Sequence, residues 1–360
     1  MKKLFYCGAL GVIVFEILNV YFIMPMPGSQ RMNSINFAYF LYSYRWIFRI
    51  VFIVMIAAGS GAVFNDRKKL LPAVVLAIAL GIAYVFNFRM TADHMFLQPE
   101  KLIFKSKGEN KLNDSSIVVS IENNGVVKAY PIRFIGYHHQ VQDTVGGKPV
   151  IVTYCTVCRT GRAFEPMVKG RHEKFRLVGM DHFNAMFEDG TTRSWWRQAT
   201  GEAIVGPLKG EVLPEVESSQ QTVGKLFELH PDALVMQLDE FSKDHYDSLA
   251  RYERGKSKSG LTLKDSLSWK DKSWVIGVQL GSETKAYDWE YLKSQRIIND
   301  QINNTPIVVA LSGDKQSFVV FQRPSDIIDF TIRHDSLVAG GVTYDFSGRN
   351  TTMASDQLKR

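Results

Sequence analysis

Three apolar runs ahead of a mixed-polarity remainder constrain this chain most: Leu4 to Met24, Trp46 to Phe64 and Leu70 to Phe86. At about 1.5 Å of helical rise per residue, each is about long enough to cross a hydrocarbon core of roughly 30 Å. Residues 1–90 therefore read as three membrane-spanning helices. The first run stands where a signal peptide would. It lacks a small-x-small cleavage site, however, and two more spans come behind it. Bulky Phe5 and Tyr6 stand where a lipoprotein signal needs small residues, so Cys7 reads as an inert thiol within the membrane.

Charge separates the chain in the same place. Nine of the 43 basic residues and two of the 36 acidic ones fall in residues 1–90, which leaves 34 of each in 91–360. The net charge of +7 thus belongs to the apolar part, and the remainder carries no basic footprint for nucleic acid. Lys2 and Lys3 precede the first span, and Arg67, Lys68 and Lys69 fill the loop between the second and third. Both clusters favour the cytoplasmic side, which predicts an inner-membrane, multi-pass protein with an extracytoplasmic C-terminal domain. Arg31 and Arg45 in the outer loop weaken that bias without reversing it. Glu16 and Asn19 lie in mid-span, where a carboxyl is a functional candidate; the plainer reading is a protonated Glu16 bonded to a neighbouring span. The small residues Ala57 to Ala62 suit close helix packing.

Beyond Met90 the runs become short and rich in Val, Ile, Phe and Tyr, bounded by Gly, Asn, Asp or Pro, as in Ser116 to Glu122, Val126 to Tyr130, Pro149 to Tyr154 and Pro306 to Leu311. These predict strands. Pro131 to Tyr137, Thr222 to His230 and Asp288 to Gln295 are helix-like. The expectation is a β-rich (α+β) domain.

A shift of 157 residues lays Ile117 to Thr153 on Trp274 to Ala310 without a gap. Seven identities result, among them Lys128-Ala129-Tyr130 on Lys285-Ala286-Tyr287 and Asp143 on Asp300; chance gives about two. This predicts two related repeats, at 91–240 and, shorter and degenerate, at 273–360. A charged, Lys/Ser-rich connector over 241–272 joins them, with little core of its own. Shared residues then read as structural, and Asp143 as a turn or capping residue. Residues confined to one copy need another reason: His138 faces Gln295, His139 faces Arg296, Cys155 faces Ser312 and Cys158 faces Lys315.

Cys155 and Cys158, three apart after a strand-like run, have the spacing to bind one metal ion or close a small disulfide ring. Without a second Cys-x-x-Cys, further metal ligands must be His or carboxylate, with His138, His139 and His182 as candidates. The site Cys155, Cys158 and His138 would suit copper or zinc. Alternatively the pair cycles between dithiol and disulfide, with Arg159 and Arg162 favouring thiolate, or forms a structural bridge in a non-catalytic interaction domain. If residues 138 and 139 continue a strand, only one of them faces the cysteines and the other lies on the surface.

The stretch Tyr137 to Cys158, Y-H-H-Q-V-Q-D-T-V-G-G-K-P-V-I-V-T-Y-C-T-V-C, resembles the signature of the prokaryotic family catalogued as domain of unknown function 3179, roughly W-H-E-I-V-N-D-x-V-G-G-x-P-V-x-V-T-Y-C-P-L-C. Asp189 to Pro207 is similar to that family's second block, D-x-x-T-x-S-x-W-x-Q-x-x-G-x-A-x-x-G-P. The resemblance covers roughly residues 95–350. It implies that the first-copy residues belong together, with His138 at the family's histidine position, and it carries no settled activity. Thr156 replaces the family's Pro, Arg159 its Gly and His139 its acidic residue. In the second block, Trp195 and Trp196 are candidates to line a pocket with Arg193 and Arg197 as an anion clamp, and Asp181-His182 is an acid/base candidate; the alternative is half core and half solvated face. No nucleotide loop, HExxH helix or GxSxG elbow occurs. The chain reads as a membrane-tethered protein with a Cys-x-x-Cys plus His metal site, the bilayer as its one evident partner and whether it is an enzyme left open.

Overall fold

The computed structural model describes residues 1–65, 69–253, 273–353 and 357–360. The chain opens with four helices, Lys2–Tyr21 (α1), Ile35–Ser43 (α2), Arg45–Phe64 (α3) and Leu70–Phe88 (α4). Among the described residues three helices, α1, α3 and α4, are long and apolar enough to cross a membrane, with mean hydropathies of 1.8, 2.2 and 2.2. Packing distinguishes them. Of the most apolar window of α1, 39% is buried by protein, against 11% for α3 and for α4, so α1 is the inner helix and the other two present apolar flanks outward. Gly59 is one of the small residues that permit this approach, because a Cβ there would stand 2.5 Å from the Phe5 main-chain nitrogen. Of the basic loop, Arg67 and Lys68 lie outside the described residues.

Glu16 is bonded to its neighbouring helices, as the sequence led us to expect, but the chief partner is a cation. Arg49 of α3 grips it twice, Nε to Oε1 at 2.7 Å and Nη2 to Oε2 at 2.8 Å, while Asn87 of α4 donates to Oε2 at 2.9 Å and accepts from Arg49 at 2.6 Å. Sequence reasoning missed the cation because Arg49 reads as the edge of an apolar run. One polar knot therefore ties all three apolar helices.

The segment between α1 and α3 folds back onto the β-rich region rather than away from it. Val20, Ile23, Met24 and Ala38 share an apolar cluster with Phe175, Leu177, Trp195 and Val205. Tyr39 meets Trp195 edge-on at 5.0 Å, Tyr42 donates to Glu188 at 3.1 Å, and the Met180 N–H donates to the Ile23 carbonyl at 2.7 Å. Gly179 makes that last contact possible, since a Cβ on it would lie 2.1 Å from the Ile23 carbonyl oxygen. A methyl group there collides with main chain, which cannot swing aside. Gly179→Ala is therefore expected to cost about 1–3 kcal/mol and to loosen this segment, read as faster limited proteolysis between residues 22 and 44. Wild-type cleavage rates would show that the contact carries no weight.

Beyond the short helix Ala92–Met95 (α5), the fold is a set of small sheets. A five-stranded sheet runs in the order Phe104–Lys105, Leu234–Met236, Val126–Pro131, Ile117–Asn123 and Ser219–Thr222. A four-stranded sheet follows the order Glu215–Val216, Thr160–Phe164, Lys148–Cys155 and Gln140–Val145. A second four-stranded sheet follows Ala203–Val205, Trp195–Arg197, Asn184–Asp189 and Phe175–Asp181. Helix Ile132–His138 (α6) joins the first sheet to the second, close to the span expected from sequence. Helix Val223–Leu229 (α7) starts at Thr222, whose hydroxyl accepts the Lys225 N–H at 3.1 Å.

The stretch read as a connector opens with helix Lys243–Glu253 (α8). Its Tyr246, Leu249 and Tyr252 recur every three residues and pack on Ile135, Tyr137 and Tyr154. That half of the connector has a core after all, built from residues that its charged composition concealed. Residues 254–272, including Arg254 to Gly260, lie outside the described residues.

The C-terminal part holds the hairpin Val275–Leu280/Glu283–Asp288, helix Trp289–Gln295 (α9), a three-stranded sheet of Ile297–Ile302, Thr305–Leu311 and Phe318–Gln322, and a second three-stranded sheet over residues 331–344. Two details coincide with the 157-residue offset. In the hairpins, Val118 pairs with Pro131 and Val275 with Asp288. His139 after α6 and Arg296 after α9 both adopt left-handed backbone, at φ 59° and 64°. The shared residues also do the same work in both places. Lys128 and Tyr130 bond Asp143 at 2.9 and 2.8 Å, and Lys285 and Tyr287 bond Asp300 at 2.5 and 2.9 Å. Each aspartate thus pins a hairpin to the strand after the helix.

Candidate functional site

Strand Lys148–Cys155 and strand Thr160–Phe164 pair in register, with Cys155 opposite Thr160. The turn between them carries the second thiol. Arg159 closes it in left-handed backbone at φ 52°, and the Thr160 hydroxyl donates to the Cys158 carbonyl at 3.1 Å. Cys155, at the strand end, is 1% exposed; Cys158, in the turn, is open to solvent. All three cysteines are free.

Both thiols converge on one main-chain oxygen. Cys155 Sγ and Cys158 Sγ each donate to the Phe183 carbonyl at 3.5 Å. His182 and Phe183 hold it there through two successive left-handed residues, φ 47° and 65°, a conformation that persists only where its surroundings enforce it. They do so from both sides. The Phe183 N–H donates to Gln30 Oε1 at 3.1 Å, while His182 bonds Asp181 at 2.9 Å and Asn33 at 3.1 Å.

The two sulfurs divide their protons unequally. Cys155 is pulled down to about 6, first by a hydrogen bond from the Cys158 thiol and then, against the opposing effect of burial, by main-chain N–H groups of Cys158, Ala185 and Val157. Cys158 is pushed well above the ordinary thiol range because its proton is held by Cys155, burial and the Cys155 charge adding to this. The arginines expected to favour thiolate are engaged elsewhere. Arg159 lies over the Tyr252 and Trp274 rings at 4.6 and 4.0 Å, and Arg162 pairs with Glu215 at 2.8 Å.

A polar network backs the turn. Asn184 Nδ2 donates to Cys158 Sγ at 3.5 Å and to Gln198 Oε1 at 3.0 Å. Gln198, fully buried, donates to Thr153 Oγ1 at 3.0 Å and to the Thr160 carbonyl at 2.9 Å. The two sequence blocks singled out above, some forty residues apart, therefore meet behind the thiols. The rest of the second block builds its own scaffold. Asp189 Oδ2 collects the Thr192 hydroxyl at 2.7 Å, the Ser194 N–H at 3.1 Å and the Trp196 indole at 2.9 Å.

The metal site with His138 is overturned. Among the described residues no group of three or more His, Cys, Asp or Glu is placed to hold a metal ion. His138 ends α6 with its ring turned from the sulfurs: Nδ1 donates to the Leu97 carbonyl and Nε2 accepts from the Tyr246 hydroxyl. Burial pushes it down to about 4, so it is neutral and fully occupied. His139 is not a surface residue either. It is buried against Phe96 at 4.6 Å, donates to the Tyr154 carbonyl at 3.1 Å and is lowered by burial. The strand alternation assumed for these two histidines fails because one ends a helix and the other is the left-handed residue after it.

Trp195 and Trp196 are 0% and 2% exposed, with indole N–H groups on Glu188 and Asp189, so they fill core. Arg193 is exposed and Arg197 pairs with Asp181 at 2.7 Å. Sequence reasoning missed Asn184, the Phe183 carbonyl and Gln30. Gln198 stood in the second block, and that was its only signal.

No curated protein and no solved structure matches the chain. Residues 100–360 match the family described as a protein of unknown function, DUF3179, and the two blocks that meet behind Cys155 and Cys158 lie within them. The chain is a member of the DUF3179 family.

Proposed function

We propose that this chain is a membrane-anchored dithiol protein whose Cys155 and Cys158 interconvert between dithiol and disulfide. The observation that carries the reading is the convergence of both thiols on the Phe183 carbonyl, one sulfur buried, the other open to solvent. Exposure sets the order of events. Cys158 is the sulfur a partner reaches, and Cys155 Sγ, beside it, takes up its proton as attack begins. Cys158 then attacks a partner disulfide, forming a mixed disulfide and expelling one partner thiolate, which takes the proton from Cys155. Cys155 attacks Cys158 Sγ and releases the second partner sulfur as thiolate. Two electrons leave the protein, one disulfide forms and one breaks.

Lys2 and Lys3 begin α1 at the end away from the β-rich region, which supports an inner-membrane protein with that region on the outer side, where disulfide chemistry persists. The β-rich region reads as two copies of one unit, supported by the matched registers and the paired Lys–Tyr–Asp clusters. The second copy puts Ser312 and Lys315 where the first has sulfur. Ser312 Oγ donates to Asp335 at 2.8 Å and Asp335 accepts from Lys225 at 2.8 Å, so this turn clasps the other unit.

The test uses the full-length protein in detergent, equilibrated in glutathione buffers, with free thiols counted by alkylation and mass. One reversible disulfide is expected, lost in both Cys155→Ser and Cys158→Ser and kept in Cys7→Ser. A bridge that glutathione cannot reduce makes the pair structural, and no bridge at all ends the redox reading.

A further inference from the structure

Gln30 belongs to the short helical turn Ser29–Arg31 between α1 and α2, more than 150 residues from the cysteine turn's carbonyl partner in sequence. It is 3% exposed and spends its amide in two directions. Oε1 accepts the Phe183 N–H at 3.1 Å, and Nε2 donates to the Phe22 and Met24 carbonyls, each at 3.3 Å. Phe22 caps α1. One side chain thus joins the end of the first apolar helix to the peptide whose carbonyl receives both thiols.

We propose that Gln30 is a positioning residue for the Cys155/Cys158 dithiol, holding the Phe183 carbonyl where only the reduced pair can use it and so coupling the end of α1 to the redox state. The inference rests on the dithiol reading above. In the fully protonated pair both S–H groups reach that oxygen at 3.5 Å, and once Cys155 has ionised the Cys158 S–H remains as the donor beside it. Oxidation by glutathione disulfide joins the two sulfurs in one S–S bond, passes whatever protons the pair holds to the two glutathione sulfurs it releases, and leaves the carbonyl without an S–H donor. A constraint that presents the carbonyl therefore favours the dithiol. Relaxing it costs the reduced form and leaves the disulfide nearly unaffected. Linkage makes the effect reciprocal: oxidation weakens the reason for the His182–Phe183 turn to stay in place and, through Gln30, its hold on Phe22 and Met24.

The experiment measures the dithiol–disulfide equilibrium of the full chain against glutathione for wild type, Gln30→Ala, Gln30→Glu and Ser29→Ala. Gln30→Ala is expected to favour the disulfide about five-fold, roughly 20 mV more negative. Gln30→Glu keeps an oxygen for the Phe183 N–H but loses the donation to Phe22 and Met24, so it is expected to shift the equilibrium the same way by less than alanine, and a wild-type value there overturns the inference if the alanine variant does not fold. Ser29 bonds Met24 and Met26 but not the 182–183 turn, so Ser29→Ala leaves the equilibrium unmoved. Equal values for Gln30→Ala and wild type overturn the inference, as does an equal shift in Ser29→Ala, which would assign the effect to general loosening. A wild-type pair that never cycles defeats the dithiol reading instead.

Discussion

Arg49→Met is expected to destabilise the packing of α1 against α3 and α4 by about 3–5 kcal/mol, because it leaves Glu16 buried without its counter-charge. Glu16 is 3% exposed, and its remaining neighbour, Asn87, offers one N–H where Arg49 gave two charged ones. The pairing of charge, rather than polarity alone, is what the fold needs. Glu16→Gln combined with Arg49→Met should therefore recover much of the loss, since an amide facing Asn87 can exchange hydrogen bonds without an orphaned ion. Thermal unfolding in detergent, read for both single variants and the double, closes a mutant cycle. A single Arg49→Met that melts with wild type would show that the ion pair forms without contributing, as exposed pairs often do.

The second large effect concerns the pH response of the thiols. In a Cys7→Ser background, ultraviolet absorbance should show one thiolate appearing near pH 6 and the second absent through the ordinary thiol range. Cys158→Ser removes the thiol that bonds Cys155, so the first ionisation moves up; Cys155→Ser frees Cys158 to titrate as an ordinary exposed thiol. Stability follows with a definite sign. Between about pH 6 and the ordinary thiol value the unfolded chain binds one more proton than the folded one, so folding strengthens as pH rises and that gain is lost as pH falls through 6. Above the ordinary thiol value Cys158 keeps a proton that the unfolded chain releases, and further alkali weakens folding. The melting temperature of wild type minus that of the double serine variant should therefore pass through a maximum between the two limits. A difference that is flat with pH would mean that the sulfurs do not share a proton.

How much of this was legible depends on whether the deciding atom is a side chain and whether its partner is near in sequence. The three apolar helices were legible because a run long and apolar enough to cross a bilayer has a length and a composition that few other segments share. Lys128 and Tyr130 read as structural through their counterparts Lys285 and Tyr287, while Asp143, read as a turn or capping residue, instead lies within strand Gln140–Val145 and accepts from both. His138 was misread for a physical reason. The hairpin pairs Gln140 with Thr153, and extending that register would bring residue 138 opposite Cys155; the left-handed backbone at His139 ends the extension and sends the ring into the α6–α8 core. The connector misled because Tyr246 and Tyr252 are diluted by charges on the outer face of α8. The Phe183 carbonyl had no signal at all, since every residue owns a carbonyl and only the fold selects one. Gln30 was hidden by distance, as a polar residue in a loop that composition assigned to the membrane part.

The apron of chain between α1 and α3 has a practical consequence. Cutting at residue 90 to obtain a water-soluble fragment would strip Ile23 from Gly179, Tyr39 from Trp195 and Gln30 from Phe183 in one stroke. Such a fragment would display a bare aromatic face and an untethered partner for the cysteine turn, and its chemistry would differ from that of the intact chain. Biochemistry on this protein should therefore begin with lipid or detergent around the intact polypeptide.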